Sequence, residues 1–224
     1  EMLRNFIQTE MGGAAIVVGN SMGGLVSLIA AAEYPEQIAG LVLLDAALPR
    51  ADGAGFDPAV ALTFAAYAMP GVGEVFLRAR ALRYSPERYV KQVLELCCAD
   101  ASRVAPEIVE AHVELARERR TMPWTDRTFL DAARSLLVTL ASKRRFYDMV
   151  DRITAPTLIL QGALDRLVPV EAARALAERR SDWDLEIYDD ARHAPQLEVP
   201  ERFVASVQRW LQENGKAAAI AATR

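Results

Sequence analysis

The sequence has few cysteines, no long hydrophobic run and no excess of positive charge, and each shortage excludes a class of protein. Its two cysteines, Cys97 and Cys98, are adjacent in the chain, which is too close for an ordinary disulfide. Because no disulfide framework exists, a reducing compartment is favoured and we expect a cytoplasmic location, with a signal peptide upstream of Glu1 as the open alternative. No apolar run approaches the roughly 18 residues of a membrane helix, so no membrane span is expected.

The charge balance argues against a nucleic-acid partner. The formal net charge is −4 and the sequence pI is about 5.4, which does not suit a surface for nucleic acid or anionic lipid. The basic stretches at 117–120 and 143–145 carry no interleaved aromatic residues for base stacking and are interpreted as solvated helix ends. A hydrophobic content of 52% and a charged content of 25% are ordinary for a globular protein. We therefore expect a small-molecule substrate.

The most informative motif lies near the start of the chain, at Gly19-Asn20-Ser21-Met22-Gly23. An apolar strand pattern precedes it and a helical stripe follows at once, an order that predicts a nucleophile elbow. Such a fast turn forces the serine into a strained backbone conformation, and we expect Gly19 and Gly23 to approach each other too closely for a β-carbon. The Ser21 hydroxyl is then exposed beside a helix N-terminus, which favours developing negative charge. The alternative is a glycine-rich turn with an incidental serine.

Strand-like and helix-like segments alternate in two blocks separated by a helical insertion. We predict strands over 14–18, 40–44, 157–161 and 185–188, and helices over 21–33, 170–179 and 200–212. Continuous apolar strands alternating with helices indicate an α/β fold in which a parallel sheet of about four strands carries helices on both faces. We expect residues 1–47 and 152–215 to form this core, 48–151 an inserted helical cap, and 216–224 a flexible tail.

The inserted segment is predicted to be helical throughout. Helix starts recur at Asp57-Pro58, Ser85-Pro86-Glu87, Ala105-Pro106-Glu107 and Thr125-Asp126. Large apolar side chains suggest an apolar substrate pocket, although core packing explains them equally well: Phe64, Met69, Phe76 and Trp124. His112 falls within one of these helices, where a structural role is favoured over substrate contact.

A serine hydroxyl is a weak nucleophile that needs a base, and the base needs an orienting acid. His193 lies in the loop between the last strand and the last helix, at the same sheet edge as Ser21. Asp165 follows the strand at 157–161 and reaches that edge too, which makes it the preferred acid. Asp45, directly after the strand at 40–44, is the alternative acid. An accidental loop histidine and a turn-capping aspartate are the competing interpretations of His193 and Asp165.

Three runs of sequence together resemble the α/β-hydrolase fold superfamily: GNSMGG at 19–24, PTLILQGALDRLVP at 156–169 and ARHAPQLEVPERF at 191–203. The chain is similar to the carboxyl-terminal two-thirds of its serine-nucleophile, cap-bearing branch. The resemblance implies that Ser21 is the nucleophile, Asp165 the acid and His193 the base, with the N–H of Met22 as an oxyanion-hole donor. It also implies that the cap contacts the substrate, and we expect no cofactor and no metal.

Two departures from that family pattern refine the expected activity. Arg192 stands before the histidine where glycine is usual, and Ala194 follows it where hydrolases of C–C bonds in ring-fission products tend to carry tryptophan. We therefore expect a serine hydrolase that cleaves a small apolar carboxylic ester through an acyl-enzyme. A C–C bond hydrolase and a catalytically impaired remnant of the fold are the alternatives. The strands that normally precede the elbow are missing, so we expect a fragment of a longer enzyme whose exposed strand at 14–18 favours association.

Overall fold

Four parallel strands form the sheet that carries the predicted site. The structure is a computed structural model that describes residues 1–53, 55 and 57–221. The strands follow the chain in spatial order: β1 (Ala15–Asn20), β2 (Ile38–Leu44), β3 (Thr157–Gly162) and β4 (Asp184–Tyr188). All three neighbouring pairs are parallel, so the predicted α/β class with four strands is confirmed.

The strands alternate their side chains between two apolar layers. On β2, Leu41 and Leu43 pack with α2 (Met22–Glu33) and α9 (Val170–Arg179), whereas Val42 and Leu44 pack against α11 (Pro200–Ala221). Successive residues of a strand point to opposite faces, so a continuously apolar strand needs cover on both. All seven residues of β2 are buried, which confirms helices on both faces of the sheet.

In the described part of the connection from β2 to β3 there are six α-helices: α3 (Pro58–Ala68), α4 (Val72–Arg83), α5 (Pro86–Cys97), α6 (Pro106–Thr121), α7 (Thr125–Ala141) and α8 (Lys143–Val150). The four predicted helix starts are confirmed. At α3, the Asp57 carboxylate accepts hydrogen bonds from the N–H groups of Ala59 and Val60. Helix α8 buries Phe146 and Val150 in the same apolar cluster as residues of α2. Since α8 belongs to the segment predicted as the cap and α2 to the predicted core, the division into core and cap stays a prediction.

Both ends of the described chain are helical. Helix α1 (Met2–Phe6) continues into a wider turn over Ile7–Met11, and α10 (Pro195–Glu198) precedes α11. The predicted end of the last helix at residue 212 is wrong, since α11 reaches Ala221, and the alanines that extend it are strong helix formers. The expected tail at 216–224 therefore begins inside a helix; its last three residues lie outside the described part, and its flexibility stays a prediction.

Strand β1 forms one edge of the sheet. Its side chains Ile16 and Val18 are 37% and 51% exposed, as expected for an uncovered apolar strand. Within the described residues no single helix is long and apolar enough to cross a membrane, and α3 and α4 pass that test of length and composition only as a pair bent by 117°.

Candidate active site

Ser21 occupies the turn between β1 and α2 in a backbone conformation that is rare for a residue with a side chain, with φ 54° and ψ −120°. Backbone hydrogen bonds hold it there. Its N–H donates to the Leu44 carbonyl at 3.0 Å, and its own carbonyl accepts from the N–H groups of Ala47 at 2.9 Å and Gly24 at 3.0 Å. The end of β2 and the first turn of α2 therefore fix this strained residue.

The glycines around Ser21 differ in how closely other atoms approach the position that a β-carbon would occupy. A β-carbon on Gly19 would lie 2.6 Å from the Gly23 carbonyl carbon, so the predicted close approach is real. A β-carbon on Gly23, however, would meet nothing within 4 Å, and the steric role expected for a side chain there is wrong. Gly24 has that role instead, since its β-carbon would lie 2.5 Å from the β-carbon of Ala46. Helix α2 therefore packs tightly against both the end of β1 and the segment after β2.

His193 and Asp165 lie against each other at the carboxyl edge of the sheet. The His193 Nδ1 is 2.8 Å from Asp165 Oδ2, and both residues are buried. The second carboxylate oxygen of Asp165 accepts the N–H groups of Leu167 at 2.7 Å and Val168 at 3.2 Å, which fixes its orientation. With its Nδ1–H donated to this carboxylate, the imidazole has Nε2 free to accept a proton.

Asn20 joins the serine turn to the histidine loop. Its side-chain amide donates to the carbonyl oxygens of Leu44 and His193, each at 3.0 Å. Among the described residues no hydrogen bond joins the Ser21 hydroxyl itself to His193, a contact that is often long without substrate. Sequence reasoning missed Asn20, although an amide at the end of an apolar strand was a usable signal.

Asp45 lies beside this pair without bonding to the histidine. It has a φ of 43°, is fully buried, and its Oδ1 accepts the Gly162 N–H at 2.9 Å and Gln161 Nε2 at 3.0 Å. Gln161 Nε2 is also 3.3 Å from Asp165 Oδ2 and so bridges the two carboxyl groups. Burial, followed by the nearby charge of Asp165, raises the pKa of Asp45 well above its ordinary value.

Asp45, Asp165 and His193 also form a candidate cation site. Asp45, Asp165 and His193 each offer one ligand atom, and these atoms lie within 4.8 Å of one another. The Gln161 amide donates hydrogen bonds to both carboxylates, and the histidine Nδ1 faces Asp165. A donor amide between the two carboxylates fits a hydrogen-bonded acid cluster better than a bound cation.

Arg192, which departs from the family pattern, points into the helical segment. Its guanidinium donates to the carbonyls of Glu95 at 2.7 Å and Cys98 at 3.0 Å, at the C-terminal end of α5. The next contact along is between the Ala194 N–H and the Cys97 carbonyl at 3.1 Å. Because helix C-terminal carbonyls attract cations, Arg192 finds its partners there and ties the His193 loop to α5.

Glu198 also holds the His193 loop, and no sequence pattern indicated it as a residue of the site. Its side chain is fully buried, with one oxygen accepting the Asp100 N–H at 2.8 Å and the other the Arg192 N–H at 3.1 Å. The carboxylate therefore links the segment after α5 to the residue that precedes His193.

Other candidates lie away from this cluster or lack the required chemistry. Burial raises the pKa of the Cys97 thiol to about 12, so it is no nucleophile at neutral pH. His112 is exposed, and its Nδ1 faces the Ile108 carbonyl at 2.7 Å within its own helix. Met22, by contrast, directly follows Ser21 and begins α2, so the N–H of this expected oxyanion-hole donor has no acceptor within the helix.

An apolar cavity of about 260 Å³ lies between α3, α4 and α5 and the loop after β3. Phe64 and Phe76 line it, whereas Met69 and Trp124 are half exposed and do not. The cavity adjoins the site along the chain, although Ser21, Asp165 and His193 are not among the residues that line it. Leu167 is two residues beyond Asp165, and Leu96 immediately precedes the Cys97 carbonyl that binds Ala194.

The chain belongs to the α/β-hydrolase fold family, whose model matches residues 1–200. It is 28% identical over 204 residues to a 2-hydroxy-6-oxononadienedioate/2-hydroxy-6-oxononatrienedioate hydrolase of Burkholderia vietnamiensis, an alignment that covers 89% of this chain and 63% of the relative. It is 29% identical over 215 residues to a pimeloyl-[acyl-carrier protein] methyl ester esterase of Aromatoleum aromaticum, covering 86% of this chain and 72% of that one.

A solved structure shows the same fold. An esterase from Exiguobacterium antarcticum superimposes with a TM-score of 0.68 at 20% identity, covering 94% of this chain and 71% of the esterase. The chain thus spans somewhat less than two-thirds of the Burkholderia relative and slightly more than two-thirds of the esterase.

Proposed function

We propose that this chain carries the catalytic centre of a serine hydrolase that cleaves a small apolar carboxylic ester. The observation that carries the proposal is the strained Ser21 at a helix N-terminus, on the same sheet edge as the hydrogen-bonded pair His193 and Asp165. Strained backbone at a solvent-accessible serine is the geometry of an exposed nucleophile. The esterase relative from Aromatoleum supports the ester as substrate.

In the proposed mechanism Ser21 Oγ attacks the ester carbonyl while His193 Nε2 accepts its proton. Asp165 holds the imidazole with Nδ1–H donated to its carboxylate and stabilises the imidazolium that forms. The N–H of Met22 donates to the oxyanion. His193 then protonates the alcohol that leaves, and a water molecule activated by the same histidine hydrolyses the acyl-enzyme and regenerates the Ser21 hydroxyl.

A fluorophosphonate probe tests this proposal, because it reacts only with an activated serine. We expect labelling of the 224-residue chain and none of Ser21→Ala. Ser135→Ala, which removes an exposed hydroxyl from α7, serves as the matched control and keeps full labelling. Absence of labelling in protein that is folded by circular dichroism contradicts the proposal and favours a remnant of the fold.

C–C bond hydrolysis is the second candidate, supported by the Burkholderia relative. The same side chains serve that reaction, so only the preferred substrate distinguishes the C–C hydrolase from the esterase. Hydrolysis rates on short p-nitrophenyl esters are compared with rates on a ring-fission dienoate. Faster turnover of the esters, lost in Ser21→Ala, supports the esterase, and the reverse order supports the C–C hydrolase.

A further inference from the structure

One charged side chain in the cavity wall, Arg80, has no acidic residue beside it among the residues that line the cavity. Arg80, on α4, lines the cavity together with apolar and aromatic side chains of α3 and α5. Its guanidinium carbon lies 4.8 Å from the centroid of the Tyr89 ring and 6.0 Å from that of Phe76. One of its nitrogens, Nη1, donates to the Tyr67 hydroxyl at 3.2 Å. The aromatic contacts hold the cation at a fixed place in the cavity wall.

No carboxylate in the described part of the chain forms an ion pair with Arg80. The second arginine of the cavity, Arg166, differs in this respect, because it is bonded to Asp57, with Nε 2.8 Å from Oδ2. A guanidinium has five N–H donors, and the single bond to Tyr67 leaves most of those of Arg80 without a protein acceptor. A cation that is partly removed from water and unpaired attracts an anion more strongly than one at the surface.

We propose that Arg80 is an anion subsite, which binds a carboxylate at the far end of a substrate whose apolar body fills the cavity. The proposal rests on the proposed function, since the other end of that substrate is the ester cleaved at Ser21. The planar fork of a guanidinium matches a carboxylate in a bidentate arrangement, and the aromatic walls suit a hydrocarbon body. The preferred substrate is thus an ester of an acid that carries a second, ionised carboxyl group.

Two series of p-nitrophenyl esters test this. One contains monoesters of dicarboxylic acids from adipate to sebacate, and the other contains esters of alkanoic acids with the same number of carbons. We expect a higher kcat/KM for the charged ester at one or more lengths. Arg80→Met keeps the apolar stem and should lower kcat/KM for the charged esters by about 10- to 100-fold, mainly through KM, because one charge-assisted contact is lost. The neutral esters should change by no more than about twofold, the scatter expected where no contact is lost.

Controls separate charge from packing. Arg80→Lys keeps the charge and should retain most of the preference for charged esters. Arg78→Gln removes an exposed charge two residues away on the same helix and should leave the preference unchanged. Equal losses on charged and neutral esters in Arg80→Met, or no preference in the wild type at any length, overturn the proposal and leave Arg80 as a cation that stacks on Tyr89 for stability.

A binding measurement keeps the two proposals apart. Calorimetric titration of Ser21→Ala compares heptanoate with heptanamide, which have the same hydrocarbon body, and repeats the comparison with Arg80→Met added. Tighter binding of heptanoate that depends on Arg80 supports the anion subsite even when no ester is hydrolysed and no probe reacts. Hydrolysis of neutral esters without any such preference supports the esterase and refutes the subsite.

Discussion

The buried carboxylate of Glu198 allows a stability prediction whose size follows from its contacts. Its two oxygens accept one backbone N–H each, from Asp100 and Arg192, and its side chain has no exposed surface. Glu198→Gln keeps the shape and one oxygen but sets an amide NH₂ against the other backbone N–H. A lost charge-assisted bond costs about 1.5–3 kcal/mol, and the surviving bond weakens from charged to neutral, so we expect a loss of about 2–4 kcal/mol.

For a chain of this size, 1 kcal/mol shifts the unfolding temperature by about 2–4 °C, so Glu198→Gln should melt about 5–15 °C below the wild type. Urea unfolding followed by circular dichroism gives the free energy, and calorimetry gives the temperature. Glu201→Gln, an exposed change three residues away, is the matched control and should stay within about 0.5 kcal/mol of the wild type. If Glu198→Gln also stays within that margin, the two backbone contacts do not hold the loop as argued.

Three further substitutions probe the acid cluster and the serine turn. Because burial raises the pKa of Asp45, the folded protein keeps a proton that the unfolded chain releases; this contribution to stability is complete below the ordinary pKa of 3.8 and is lost as the pH rises towards the raised value. Asp45→Asn removes that dependence, so its stability relative to the wild type should increase by about 1.4 kcal/mol for each pH unit between the ordinary and the raised pKa of Asp45. A difference in urea unfolding that stays constant across pH contradicts the raised pKa. Gly24→Ala should lower the free energy of unfolding by about 1–3 kcal/mol, because its β-carbon would clash with Ala46. Gly23→Ala has open space around its β-carbon and should be neutral or stabilising by up to about 1 kcal/mol. Equal urea midpoints for the two variants contradict this contrast.

Strands β1, β2 and β3 could be predicted from the sequence because each contains a short, continuous apolar run, whereas β4 alternates polar and apolar residues. Strands β2 and β3 were found with their carboxyl ends within one residue, since the polar residues Asp45 and Asp165 follow shortly after them. The predicted start of β3 at Thr157 is confirmed, whereas β2 begins at Ile38, two residues before its predicted start, and its pairing with β1 shifts register between Ala15 and Ile16. That pairing depends on a partner strand and has no local signal.

Parts of the candidate site could not be predicted because their partners are distant in sequence. Because Ser21, Asp165 and His193 each follow a predicted strand, the sequence placed all three at one sheet edge, and the structure puts Asp165 and His193 in contact. Asn20 binds the His193 carbonyl, 173 residues away along the chain, and Glu198 binds the Asp100 N–H, 98 residues away. Local sequence patterns do not show contacts between such distant residues. The assignment of the acid, base and nucleophile roles stays a prediction until the serine is labelled.

The attachment of the His193 loop to the end of α5 has a consequence for redesign of the helical segment. Arg192 and Ala194 are bonded to carbonyls at positions 95, 97 and 98, so the proposed base is held in part by the helix that lines the cavity. A foreign helical segment grafted in place of residues 48–151 would bring new pocket walls but lose these carbonyls. Exchange of substrate specificity therefore requires Arg192 and the C-terminal end of α5 to be transferred together from the same protein.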